Sequence, residues 1–232
     1  MAIAVTKFPG TNNAGDMIRA LALVRGADPF LVTIKEGNNT LDNADGVVVL
    51  GGLIDEKLIG IDKSEKVGTL IDSIIMFAAE GRPVLGTSGG FHILIESGLL
   101  PGSLLPNESG RFLCRWVNVK VSDSCTSLTD GLEGLVLRLP ISHARSQFEC
   151  TEGTLKQLRA TARIAFRYCD KNGEITTTSN PNGSTDGIAG IVNDKGNVMG
   201  MIPSPERASR PILGSEDGQA ILESFVRVAG SA

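Results

Sequence analysis

The stretch that most constrains this chain runs from Arg82 to His92, Arg-Pro-Val-Leu-Gly-Thr-Ser-Gly-Gly-Phe-His. A short apolar run, Val84-Leu85, meets a cluster of small residues, and a second apolar-rich segment then continues to Gly98. The pattern predicts a strand, a tight turn and a helix. Gly86, Ser88, Gly89 and Gly90 leave little side chain at the turn, so the residue at its apex, Ser88, can project from the end of a sheet. Gly86-Thr87-Ser88-Gly89-Gly90 fits the Gly-x-Ser-x-Gly pattern of a nucleophile elbow.

The first half of the chain repeats that alternation. Ile3-Ala4-Val5 predicts a first strand, followed by a turn at Phe8-Pro9-Gly10-Thr11-Asn12-Asn13. Asp16 to Val24 carries apolar residues at helical spacing, with Gly26 placed to end the helix. Pro29 to Ile34 is a second strand. Gly46-Val47-Val48-Val49-Leu50 is apolar throughout, the mark of a strand buried on both faces, and it stops at Gly51-Gly52. Val67 to Ala79 predicts a helix. Strands and helices in alternation predict a parallel sheet covered on both faces.

Beyond Pro101 the character changes. Phe112 to Val121 alternates as an antiparallel strand does, and Leu135 to Leu139 and Ile164 to Tyr168 are further short strands. Gly187 to Asn193 and Asn197 to Ile202 flank Asp194-Lys195-Gly196, a hairpin turn. Glu216 to Val228 closes the chain as a helix. No repeat, low-complexity tract or linker interrupts the 232 residues. The expectation is a single domain over residues 1–232, of α/β class, with a central mostly parallel sheet, flanking helices and antiparallel strands in the second half.

Composition excludes several functions. A net charge of -4 without a Lys/Arg cluster gives no electrostatic case for nucleic acid. No apolar run is long enough to span a bilayer, and the N-terminus reads as a strand, not a signal peptide, so a cytoplasmic placement is expected. Cys114, Cys125, Cys150 and Cys169 form no Cys-x-x-Cys pair, and the chain has two histidines. Reduced thiols are therefore expected, with no metal site and no organic cofactor.

Longer strings carry a resemblance. Pro83-Val84-Leu85-Gly86, Gly90-Phe91 and Gly98-Leu99-Leu100-Pro101-Gly102 resemble the corresponding region of the class I glutamine amidotransferases. The chain is most similar to the glutaminase subunits of phosphoribosylformylglycinamidine synthase, a purine-biosynthetic enzyme. Phe8-Pro9-Gly10-Thr11-Asn12 looks like that family's Phe-Pro-Gly-Ser-Asn, and Arg111-Phe112-Leu113-Cys114-Arg115 like its Arg-Phe-x-Cys-Arg. Asn180 to Ser184, Ile188 to Asn193 and Leu213 to Gly218 match almost letter for letter. The resemblance covers nearly the whole chain. It implies the class I amidotransferase fold, a larger synthetase-like subunit as partner, and glutamine or a related small amide as ligand.

The departures gather at the chemistry. The family's apex residue is a cysteine; here it is Ser88, followed by Gly89 where the family has Asn. Gly51 and Gly52 match the glycines whose backbone N–H groups face the oxyanion, although Leu50 replaces the family's proline. The family's aromatic- and Asp-containing loop is replaced by Leu53 to Gly60. Pro203-Ser204-Pro205-Glu206 stands where the family has Pro-His-Pro-Glu. Ser204 thus occupies the general-base position, and Glu206 keeps the orienting acid. An alcohol is a far weaker nucleophile than a thiolate unless a base activates it, and a second hydroxyl takes no proton near neutral pH.

The resemblance therefore implies an inactive, pseudo-glutaminase subunit. Two alternatives stay open. One is a hydrolase or acyltransferase using Ser88 with His143 as base. His143 matches a histidine of the family's Ile-Ala-His-Gly-Glu-Gly segment. The other is a glutaminase subunit inactivated by mutation. His92, four residues beyond Ser88, is expected to point along its helix and not over the apex.

Overall fold

The computed structural model describes residues 1–34, 41–51, 65–122 and 126–231. In chain order the elements are β1 (Ala2–Lys7), α1 (Ala14–Leu21), β2 (Asp28–Thr33), β3 (Gly46–Leu50), α2 (Glu65–Ala79), β4 (Val84–Thr87) and α3 (Gly89–Glu96). There follow β5 (Ser103–Pro106), β6 (Leu113–Val121), β7 (Val136–His143), β8 (Arg145–Glu149), α4 (Glu152–Ala160) and β9 (Ile164–Cys169). The last are β10 (Ile188–Val192), β11 (Val198–Met201) and α5 (Asp217–Ala229).

Nine strands form one sheet in the order β2-β1-β3-β4-β11-β10-β9-β6-β7. The pairings from β2 to β11 are parallel. Those from β11 to β7 are antiparallel. The seam is β11, which runs parallel to β4 with Met201 opposite Thr87 and antiparallel to β10 with Met201 opposite Gly190. It joins the last third of the chain to the strand that leads into Ser88. A separate antiparallel pair, β5–β8, lies outside the main sheet.

The apolar runs behave as their patterns require. All five residues of β3 are buried, and so are all four of β4. Helix α3 packs on β3, β4 and β11, while α5 packs on α1, β3 and β7. These contacts bury Phe91 and Leu94 of α3 and Ile221, Leu222 and Phe225 of α5.

Three local features differ from the sequence pattern. Helix α1 ends at Leu21, short of Val24, because Leu23 N and Val24 N reach back only to Ala20 O and Leu21 O. Those bonds tighten the last turn, and Gly26 then takes a positive φ of 84° in the connection beyond it. Helix α4 has only a narrow apolar stripe, Leu158 buried and Leu155 partly buried against the core. Strand β5 is four residues long and ends on a proline.

Candidate functional site

The turn between β4 and α3 places Ser88 at φ 53° and ψ −119°, a backbone conformation disfavoured for any residue with a Cβ. Close packing holds it there. Ser88 N donates to Met201 O at 2.9 Å, and Phe91 N donates to Ser88 O at 3.1 Å. Gly51, at the end of β3, sits so near this turn that a Cβ on it would overlap the Gly89 carbonyl. A Cβ on Gly90 would overlap Val49 O. The small residues read from the sequence as a turn are thus required by backbone meeting backbone. Gly52 lies outside the described residues.

The end of β11 joins the other site segments to this turn. Met201 O accepts from Ser88, Ile202 O accepts from His143 Nε2 at 2.9 Å, and Ser204 N donates to Pro140 O at 3.0 Å. Ser88, His143 and Ser204 are therefore tied through four consecutive residues. No hydrogen bond among the described residues joins the Ser88 hydroxyl to either imidazole or to Ser204.

Each imidazole is engaged elsewhere. His143 is the last residue of β7 and is buried. Its Nε2–H donates to Ile202 O, and its Nδ1 has no partner. Burial holds its pKa down to about 4, with the Ile202 bond opposing and Arg207 assisting. The ring is neutral at pH 7. His92 points along α3, its Nε2 3.4 Å from Glu96 Oε1. Burial pulls its pKa down most strongly, against the pull of Glu96 in the other direction. Ser204 is buried, and its hydroxyl makes no hydrogen bond among the described residues.

Glu206 stands on a 3₁₀ turn, Pro205–Ala208, and is 1% exposed. Asn13 Nδ2 donates to its Oε1 at 2.8 Å, while Oε2 has no partner. Burial pushes its carboxyl above the usual range, more than the Asn13 bond and the Arg207 charge pull it back. The turn is seated on α5, where a Cβ on Gly218 would overlap Pro205 O. Asn13 escaped sequence reading: it belongs to the Phe8–Asn13 turn, and nothing local links it to a carboxylate 193 positions away.

A sheet that is parallel up to a serine-bearing turn and antiparallel beyond it, with a buried glutamate segment alongside, defines the class: a class I glutamine amidotransferase fold. Solved structures agree. A chain of the PurLQS structure from Thermotoga maritima matches with a TM-score of 0.79 at 30% identity, covering 97% of both chains. The glutaminase domain of Trypanosoma brucei CTPS with bound acivicin matches with a TM-score of 0.62 at 14% identity, covering 100% of this chain and 94% of that one, and so speaks to fold alone.

The family profile of the CobB/CobQ-like glutamine amidotransferase domain matches residues 1–220. The phosphoribosylformylglycinamidine synthase subunit PurQ of Methanosarcina acetivorans is 42% identical over 226 residues, 97% of each chain. That of Moorella thermoacetica is 38% identical over 227 residues, 97% of this chain and 95% of its own. The chain belongs to the CobB/CobQ-like glutamine amidotransferase family and, within it, to the PurQ-type glutaminase subunits.

Proposed function

We propose that this chain is a PurQ-type subunit that docks on a PurL-like synthetase without hydrolysing glutamine itself. One observation carries the reading. Ser88 occupies the nucleophile-elbow position, and among the described residues no group that could take its proton bonds to it. Attack on an amide carbon requires that the hydroxyl proton leave as the new C–O bond forms. Ser204 stands where the family has histidine, His143 Nε2 carries a proton donated to Ile202 O, and His92 faces Glu96. Glu206 is held by Asn13, and burial raises its carboxyl above the usual range. The close approach of Gly51 to Gly89 preserves the kind of backbone setting that receives an oxyanion. Stabilising an oxyanion that never forms gives no turnover.

The partnership rests on the relatives, which are named as subunits of a synthase, and on the solved PurLQS structure. On this reading residues 1–232 act as one unit. The unpaired state of Cys114, Cys150 and Cys169 suits a cytoplasmic setting.

The test is covalent labelling. The purified chain, alone and mixed with the PurL-type subunit of the same genome, is treated with a fluorophosphonate probe and mapped by mass spectrometry. The expected result is complex formation with no label on Ser88. Stoichiometric labelling of Ser88 that disappears in His143→Ala would overturn the reading in favour of a serine hydrolase.

A further inference from the structure

Immediately after Glu206 the chain builds a tip that ordinary folding does not explain. Ile212 is 90% exposed and Leu213 46%, both on a short 3₁₀ turn, Pro211–Leu213. A single exposed apolar residue on a loose loop means little. This tip is not loose. Leu213 N donates to Arg210 O at 3.0 Å and Gly214 N to Pro211 O at 2.9 Å, and Arg210 and Ser215 form an antiparallel bridge across the base.

The tip is also clamped from the sheet. Arg138 Nη1 donates to Gly214 O at 2.8 Å, and its guanidinium lies 4.6 Å from the centroid of the Trp116 ring. Gly214, at φ 104°, presses on that same ring, where a Cβ would lie 3.1 Å from Trp116 Cζ2. Three backbone contacts, an arginine and a tryptophan thus fix an isoleucine in water. Such backbone pre-organisation lowers the ordering cost when a partner covers the side chain.

The surroundings state the partner's charge. Between α1 and this tip lies a cavity of about 500 Å³ whose walls include Arg19, Arg207, Arg210 and Ile212, together with the acids Asp16 and Glu206. Arg19 is paired with Asp16 at 2.5 Å. Arg207 and Arg210 form no ion pair among the described residues. The mouth therefore offers two guanidiniums outside any ion pair, of which Arg210 is exposed, beside an apolar knob.

We infer that Ile212, with Arg207 and Arg210 beside it, is the docking surface for the synthetase partner, whose matching face carries an apolar socket rimmed by carboxylates. The inference rests on the partnership proposed above and adds the surface that makes it. Glu206 and Ser204 belong to the same segment, so the bound partner would also cover the base side of the site.

Binding of the PurL-type subunit by wild type, Ile212→Asp and Arg210→Glu, followed by calorimetry at low and high salt, tests this. Both side chains are exposed, so thermal unfolding of the variants is expected to match wild type and to show that they are folded. Ile212→Asp is expected to weaken binding by about tenfold or more, as loss of a central anchor does. Arg210→Glu is expected to weaken it at low salt and to reduce its salt dependence. Variants that bind within twofold of wild type would overturn the docking surface and leave the partnership standing. Wild type that does not bind at all would overturn both.

Discussion

Asn13 reaches Glu206 from the opposite end of the chain, its amide donating to Oε1 at 2.8 Å across 193 positions. The two remaining acceptors of this pair, Asn13 Oδ1 and Glu206 Oε2, are buried without partners. A carboxylate leaves both unsatisfied, whereas a carboxylic acid supplies one proton where two acceptors lack a donor. In the family pattern a histidine stands two residues before this glutamate and the carboxylate orients it. Here Ser204 offers no cation, and the amide of Asn13 is the side chain that hydrogen-bonds the acid.

The pair predicts a pH-dependent substitution. Folding raises the Glu206 pKa above its ordinary 4.5, so the group's contribution to stability is whole below that value and is lost as pH rises through the raised one. Glu206→Gln removes the titration and keeps the shape. Urea unfolding of both proteins from pH 4 to pH 8 is expected to show the variant gaining on wild type as pH rises. Parallel curves would contradict this.

His143 predicts the opposite slope. Its folded pKa of about 4 lies below the ordinary 6.5, so its contribution is complete above pH 6.5 and is lost as pH falls toward 4. The shift corresponds to roughly 3 kcal/mol for a buried ring. His143→Gln is expected to be destabilised at pH 7.5 and to lose stability less steeply than wild type below pH 6. An unchanged acid limb in the same urea titration would refute the assignment.

The turn predicts a pair of contrary glycine effects. Ser88 in its left-handed conformation stores about 1–3 kcal/mol of strain. Glycine removes that strain against an entropic cost of about 0.5–1 kcal/mol. Ser88→Gly is therefore expected to raise stability by about 1 kcal/mol. Gly51→Ala forces a Cβ into the Gly89 carbonyl and is expected to lower it by about 2 kcal/mol or more. Calorimetric melting of the two variants measures both signs.

Much of this was readable from residue order, for identifiable reasons. The runs at β3 and β4 are buried on both faces and need no partner information to be recognised as strands. The turn after β4 announces itself because backbone contact leaves no room for side chains. Helix α4 did not, since two leucines one turn apart, Leu155 and Leu158, make too short a pattern to mark a helix. The parallel pairing of β11 with β4 escaped for another reason: it joins segments more than a hundred residues apart, and strand pattern alone carries no partner. At the site, the sequence alone picked out Ser88, Ser204 and Glu206 by position. The direction of each imidazole was not, because Ile202 O and Glu96, which capture His143 and His92, are set by tertiary packing.

The most direct measurement is glutamate release from glutamine by the wild-type chain in complex with its PurL-type partner, beside the same complex carrying Ser88→Ala. The account predicts equal rates, both at the background of the partner alone. A wild-type rate clearly above that of Ser88→Ala would show that the hydroxyl is activated after all, and would contradict it.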